Sequence, residues 1–206
     1  MKKILFAGAL VLLFNLSAAA YAPSVPGEFG VSFGVFYSSL DPYGEWVSLE
    51  SGYYAWRPMR VAGNWRPYMY GQWAWTNDGW YWASQEPWAW AVYHYGRWYY
   101  DDYYGWLWIP GYDWAPAWVE WRYSGDVVGW APLSPYAVFS VGFGITYHHA
   151  WVTPPFYWSF VGMRHMYAPG VYRHFYRPEE NRRYIGLTRS IGAVRYENDR
   201  DRKSVV

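Results

Sequence analysis

Cysteine is absent from all 206 residues, and lysine is confined to Lys2, Lys3 and Lys203. A chain without thiols forms no disulfide, no thiolate zinc site and no lipid anchor on an N-terminal cysteine. Long apolar runs are nearly as scarce. After the first 20 residues nothing approaches the length of a membrane-spanning helix, so no such span is expected in the mature chain. Phosphate-binding loop, nucleophile elbow and dinucleotide fingerprint are all missing, and no cofactor is expected.

The first 20 residues read as a signal peptide. Lys2 and Lys3 precede the apolar stretch Ile4 to Phe14, and Ser17, Ala18, Ala19 and Ala20 supply small residues for a peptidase. Cleavage is placed after Ala20, because cutting after Ala22 leaves Pro23 at the first mature position. An exported protein, periplasmic or at the cell surface, is therefore expected. Charge then divides the remainder. Residues 21–159 hold 5 arginines and 11 acidic residues, a net −6, whereas 160–206 hold 9 arginines, one lysine and 5 acidic residues, a net +5. We read 21–150 as one domain and 151–206 as a basic, partly irregular segment. Such a segment could touch anionic lipid or lipopolysaccharide, or be a solvated end. No nucleic-acid partner is expected.

Aromatic residues are what the chain has in excess: 18 Trp, 24 Tyr and 10 Phe, with 16 of the tryptophans between Trp46 and Trp130. Together with 20 glycines and 14 prolines they indicate short strands joined by turns. Tyr43-Gly44-Glu45-Trp46, Tyr70-Gly71-Gln72-Trp73 and Tyr95-Gly96-Arg97-Trp98 share one pattern, with glycines 27 and then 25 residues apart. A second tryptophan follows at Trp56, Trp82 and Trp108, and a degenerate fourth copy runs from Trp121 to Trp130. Side chains two apart share one face of a strand. Pairing Trp73 with Trp82 then pairs Trp75 with Trp80 around Thr76-Asn77-Asp78-Gly79, whose glycine accepts a positive φ. The same logic pairs Trp46 with Trp56, Trp98 with Trp108, Tyr100 with Trp106, and Trp121 with Trp130. The spacing thus predicts a mainly β fold of repeated short antiparallel hairpins around an aromatic core. A strand over Val31 to Ser39, one or two strands within 136–147, and a short C-terminal helix from Pro178 to Gly186 are expected beside them.

Several of these motifs resemble those of a family of exported bacterial Trp-rich proteins of unknown function, sometimes found with FecR-type domains. Asp41-Pro42-Tyr43-Gly44-Glu45-Trp46, Trp65-Arg66-Pro67-Tyr68, Glu86-Pro87-Trp88, Gly105-Trp106-Leu107-Trp108-Ile109-Pro110 and Gly129-Trp130-Ala131-Pro132 carry the likeness, densely over 36–135. It implies export and architecture and supplies no catalytic residue. Ala89 stands where many relatives have glycine, and no FecR-like segment accompanies the repeat.

Two roles suit so many indoles. They can form the core of a rigid scaffold for other envelope proteins, or present flat faces to the C–H face of a pyranose, with envelope glycan as the partner. Trp73, Trp75, Trp80 and Trp82 are expected in the core, since four exposed faces would leave apolar patches too large for a soluble chain. Tryptophans outside the ladders are the candidates for exposure. The candidate ligand-binding set is Trp88, Trp90, Trp114 and Trp118, with Arg97 and Glu120 to bond hydroxyls. Arg57, Arg66, Arg97 and Arg122 are expected to stack on indoles or to hold Glu86, Asp113 or Glu120. Glu86 and Glu120 could form a glycosidase pair, but nothing in their spacing sets them apart from structural acids, and no enzyme is expected. His148, His149, His165 and His174 could gather around a metal, but two adjacent and two scattered histidines lack the spacing of a metal site and none is expected, and His94 is expected to be a hydrogen-bonded structural residue.

Overall fold

A computed structural model of the chain describes residues 29–49, 53–140, 144–147 and 151–191. It divides into two compact units, residues 1–42 and 43–206. The expected signal peptide, His148, His149 and the charged end after residue 191 lie outside the described residues. Within the first unit, Phe29–Leu40 forms helix α1 and not the expected strand. Phe33, Phe36 and Leu40, three and four positions apart, are the less exposed ones, which is the period of a helix. Ser38 Oγ also donates to the Gly34 carbonyl one turn back, at 2.8 Å.

The second unit is built from hairpins in the expected registers. The first is β1 (Gly44–Ser48) with β2 (Tyr54–Pro58), pairing Trp46 with Trp56. The second is β3 (Gln72–Thr76) with β4 (Gly79–Ala83), pairing Trp73 with Trp82 and Trp75 with Trp80. Helix α2 (Ala89–Val92) leads to the third, β5 (Arg97–Asp101) with β6 (Gly105–Ile109), which pairs Trp98 with Trp108 and Tyr100 with Trp106. The fourth is β7 (Val119–Ser124) with β8 (Val127–Pro132), pairing Trp121 with Trp130. Next come β9 (Ala137–Ser140) and β10 (Gly144–Tyr147), the pair expected within 136–147. Residues expected to form a separate basic segment supply β11 (Ser159–Gly162) and β12 (Arg189–Ser190), on the two sides of the fourth hairpin. Helix α3 (Asn181–Leu187) follows a 3-10 turn at Pro178–Glu180 and runs one residue past Gly186. Among the described residues no helix is long and apolar enough to cross a membrane.

Hairpins one and three join into one four-stranded sheet, β1-β2-β6-β5, through Trp56 opposite Trp108. The glycine of each Tyr-Gly-x-Trp copy explains why the pattern needs no side chain there. A Cβ on Gly71 would lie 2.7 Å from Trp82 Cε2 and 2.6 Å from the Ala83 carbonyl. On Gly96 it would lie 2.7 Å from Trp108 Nε1, and on Gly44 it would strike Trp56. In every copy the second indole is thus laid flat over the glycine that opens the hairpin.

Rings from different hairpins meet at the centre. Trp73 contacts Trp82 at 4.9 Å, Trp121 at 4.5 Å and Trp130 at 5.5 Å between centroids. Most of these contacts are tilted or edge-on, the orientation favoured by the ring quadrupole and worth about 0.5–1.5 kcal/mol per pair beyond burial. Tyr68 sits beneath, stacked on Trp73 and edge-on to Trp82, and holds a left-handed φ of 58°. That strain, on the order of 1–3 kcal/mol, is offset by hydrogen bonds at both of its ends. Its hydroxyl donates to the Tyr93 carbonyl and accepts from the Trp118 N–H, while its carbonyl accepts from Trp130 Nε1.

The expected four-indole core of the second hairpin is only half realised. Trp73 is 2% exposed, but Trp75 is 59% exposed and Trp80 is half-buried. Among the described residues β3 and β4 form a sheet of their own, and the outer rung meets the ring of Tyr167, 5.2 Å from Trp80. In the third hairpin the matching rung is covered, with Phe156 over Tyr100 at 5.0 Å and Tyr157 over Trp106 at 4.5 Å.

The glycine contacts set the first test. Gly71→Ala forces the Trp82 indole off its seat and should lower unfolding free energy by about 1–3 kcal/mol. Gly125→Ala, where a Cβ meets nothing within 4 Å, should change it by only a few tenths. Urea denaturation of both proteins measures the difference, and equal losses contradict the packing described.

Candidate ligand-binding surface

Helix α2 is only four residues long, so the carbonyls at its end and just beyond, from Val92 to Tyr95, take their partners from outside the helix. Aromatic side chains provide them. Trp98 Nε1 donates to the Val92 carbonyl at 3.0 Å, Tyr68 Oη to Tyr93 at 2.9 Å, Trp118 Nε1 to His94 at 3.0 Å, and Trp108 Nε1 to Tyr95 at 2.8 Å. Four consecutive carbonyls are thereby capped by four buried rings from separate parts of the chain. This knot fixes the segment that carries His94 and Arg97.

Expected and observed exposure differ for the candidate tryptophans. Trp88 is buried, 5.7 Å from Trp56 and 6.0 Å from Tyr43. Trp118 is buried too, because its N–H must reach the His94 carbonyl. Trp90, on α2, is half-buried, and Glu120, on β7 opposite Ala131, is half-buried as well. Trp114 alone of the candidates is largely exposed, at 44%. Its ring lies nearly parallel to His94, which stacks in turn on Tyr81 at 4.4 Å, so the three form a ledge. Beside this segment, Arg97 places its guanidinium 3.4 Å over the Trp118 ring. Arg97 also shares a cavity of about 180 Å³ with Asp113, Gly111, Ile109 and Pro135. The structure therefore gathers Arg97, Trp118 and Trp114 around His94 and leaves Trp88 and Glu120 elsewhere. His94 and Tyr81 were missed as members of this surface. Tyr81, opposite Ala74 and between the indoles of β4, lies on the face that the sequence marks as outer.

The arginines do stack on rings, but on rings distant in sequence. Arg66 lies over Phe175 and donates to Ser159 Oγ, and burial brings its guanidinium down to about 10. Arg122 lies over Trp158, and Arg57 pairs with Glu45. Glu86 binds no arginine; its carboxylate accepts from Trp65 Nε1 at 2.7 Å, Ser84 Oγ at 3.2 Å and the Tyr93 hydroxyl. Burial raises its carboxyl, and the bonds from Tyr93, Trp65 and Ser84 partly reverse this.

His94 is buried with Nδ1 at 3.2 Å from the Ala115 carbonyl and 3.1 Å from that of Pro116. Two acceptors require the proton on Nδ1. Burial lowers its pKa to about 4, against the smaller raising effect of the two carbonyls. The ring is therefore neutral at physiological pH and acts as a structural donor.

A pH test follows from the depressed His94. The unfolded chain takes up a proton near 6.5, while the folded one resists it until about 4. Stability is therefore full above 6.5 and declines as pH falls through that window, by about 3 kcal/mol in total. Glu86 acts in the opposite sense, because protonating a raised carboxyl relieves its burial. Denaturant titrations at several pH values should show the acid loss in the native protein and a flatter profile in His94→Asn, which keeps a donor without the titration.

Comparison with known proteins adds one match. The model of a family of unknown function (DUF6600) matches residues 37–137, from the end of α1 through the fourth hairpin. No curated protein and no solved structure matches the chain.

Proposed function

We propose that this chain is an exported, non-catalytic scaffold of the bacterial cell envelope, a rigid module against which other envelope components pack. One observation carries the reading: the groups in the Trp-rich part best suited to chemistry are engaged inside the fold. Glu86 is held by Trp65, Ser84 and Tyr93, and His94 by two carbonyls, while four aromatic donors close around α2. The absence of cysteine fits a module that achieves rigidity in an oxidising compartment by ring packing. Export rests on the Lys2-Lys3, apolar and Ala18-Ala19-Ala20 pattern.

A second reading, recognition of envelope glycan, is favoured by the exposed Trp114 on its Tyr81–His94 ledge. A flat indole with Arg97 and Asp113 nearby has the chemistry to bind a pyranose face and its hydroxyls.

Cell fractionation and co-sedimentation with purified peptidoglycan separate these readings. The full chain should be recovered outside the cytoplasm, and a chain lacking residues 1–20 should remain within it. For a scaffold, Trp118→Ala lowers the melting temperature by several degrees, Trp114→Ala leaves it nearly unchanged, and neither protein differs from the native one in sedimenting with glycan. Sedimentation that Trp114→Ala abolishes at unchanged melting temperature replaces the scaffold with the glycan reading. Retention of the full chain in the cytoplasm overturns both.

A further inference from the structure

A second polar neighbourhood lies at the turn of the fourth hairpin, formed mostly by residues beyond those matched by the family model. Two 3-10 turns, Met163–His165 and Val171–His174, come side by side there. They bring the rings of His165 and His174 into a stack, 4.1 Å between centroids and 2° from parallel. The rings line a cavity of about 350 Å³ with Arg164, Tyr176, Gly162 and Asp126. Its walls are held by backbone bonds from three elements. The Met163 N–H donates to the Asp126 carbonyl at 2.8 Å, the Tyr176 N–H donates to the Phe160 carbonyl at 2.9 Å, and Val161 bridges Phe175. Tyr176 is further fixed by stacking on Tyr184 at 4.4 Å. Gly162 keeps the floor low, since a Cβ there would come within 3.4 Å of the Tyr176 hydroxyl.

Arg164 Nε donates to His165 Nε2 at 3.0 Å, so in this state His165 is neutral and carries its proton on Nδ1. We propose that this cavity is a binding site for a phosphoryl group, held by Arg164, His165, His174 and Tyr176. The donor set selects the ligand. One guanidinium, two imidazoles and a phenol offer more donors than the two oxygens of a carboxylate can use, whereas a phosphoryl group presents three charged oxygens. Charge agrees as well. With His165 protonated, Arg164 and His165 together outweigh the carboxylate of Asp126, so the lining is net positive and favours an anion. The surroundings are basic: residues 160–191 hold six arginines against Glu179 and Glu180.

Binding is coupled to proton uptake. The groups facing His165 are His174, Arg164, Tyr176 and Asp126. Burial lowers the His165 pKa, with His174 and Arg164 adding to the effect. Protonating His165 at Nε2 breaks its bond from Arg164, and two charged donors then face one space that suits an anion. Proton uptake by His165 therefore strengthens binding, and proton uptake by the phosphate itself weakens it. Asp126 opposes the anion at every pH at which it is ionised.

The test titrates the full chain with inorganic phosphate between about pH 8 and about pH 6, following the imidazole proton resonances of His165 and His174. Expected are saturable shifts of both rings and an upward move of the His165 midpoint in the presence of phosphate. Arg164→Gln should weaken binding about tenfold, and Asp126→Asn, which removes the opposing charge, should strengthen it. Both positions are exposed, so the folded state survives, and the opposite signs cannot both arise from unfolding. Vesicles distinguish the source of the phosphoryl group. Co-sedimentation with phosphatidylcholine containing phosphatidic acid, but not with phosphatidylcholine alone, assigns a lipid headgroup. Shifts with free phosphate and no sedimentation assign a soluble phosphate ester. Shifts that chloride reproduces at equal ionic strength, or no response to either probe, overturn the site.

Discussion

Backbone carbonyls buried at the end of a short helix must find donors, and the second unit is organised around that requirement. From Val92 to Tyr95 four such oxygens point into a region closed to water, where each unmet acceptor costs about 1–3 kcal/mol. Indoles suit the need because each carries a single donor at the edge of a large apolar plate. Trp98 and Trp108 reach in from the third hairpin, Trp118 from the approach to the fourth, and Tyr68 from the loop before the second. The same rings that exclude water from these carbonyls are the ones that satisfy them, so hydrophobic burial and hydrogen bonding reinforce each other at one place. Three other indole nitrogens, of Trp73, Trp82 and Trp88, are buried without an acceptor among the described residues. Their rings serve packing and supply no hydrogen bond among the described residues.

Glycine gives the repeat its second constraint. Where an indole lies flat across the strand that begins its own hairpin, no side chain fits beneath it. Gly44, Gly71 and Gly96 mark those seats, so the interval from glycine to second tryptophan is set by the length of one strand, its turn and the return strand. The fourth hairpin has no such glycine before Trp121. It is finished differently, by β11 and β12 at its two sides, and Phe160 of β11 lies against Gly129.

Registers were legible in the sequence because pairing, alternation and turn chemistry agree at each hairpin. Trp73 with Trp82 around Asn77-Asp78-Gly79 is the clearest case, and Gly79 does take a φ of 104°. Legibility ended where a residue's surroundings come from distant segments. Nothing local reveals that Tyr68 adopts a left-handed backbone, since the compensating bonds come from Tyr93, Trp118 and Trp130. Exposure was inverted for a related reason. Trp88 and Trp118 stand outside the ladders but fill space between them, whereas Trp75 is in a ladder whose tip extends beyond its neighbours. The first helix was misjudged because short apolar runs fit either period, and Phe33, Phe36 and Leu40 decide for the helix only once their burial is seen. The His165–His174 pair was illegible too, because nine positions and two turns separate rings that end face to face.

The closeness of the central indoles also has an optical consequence. Rings 4.5–6.0 Å apart, as among Trp73, Trp82, Trp121 and Trp130, absorb as coupled chromophores and pass excitation to one another. Excitation then drains toward the ring with the lowest excited state, which is the one most relaxed by solvent. Trp75, 59% exposed and outside this cluster, meets solvent directly, so its emission lies to the red of that of the enclosed rings.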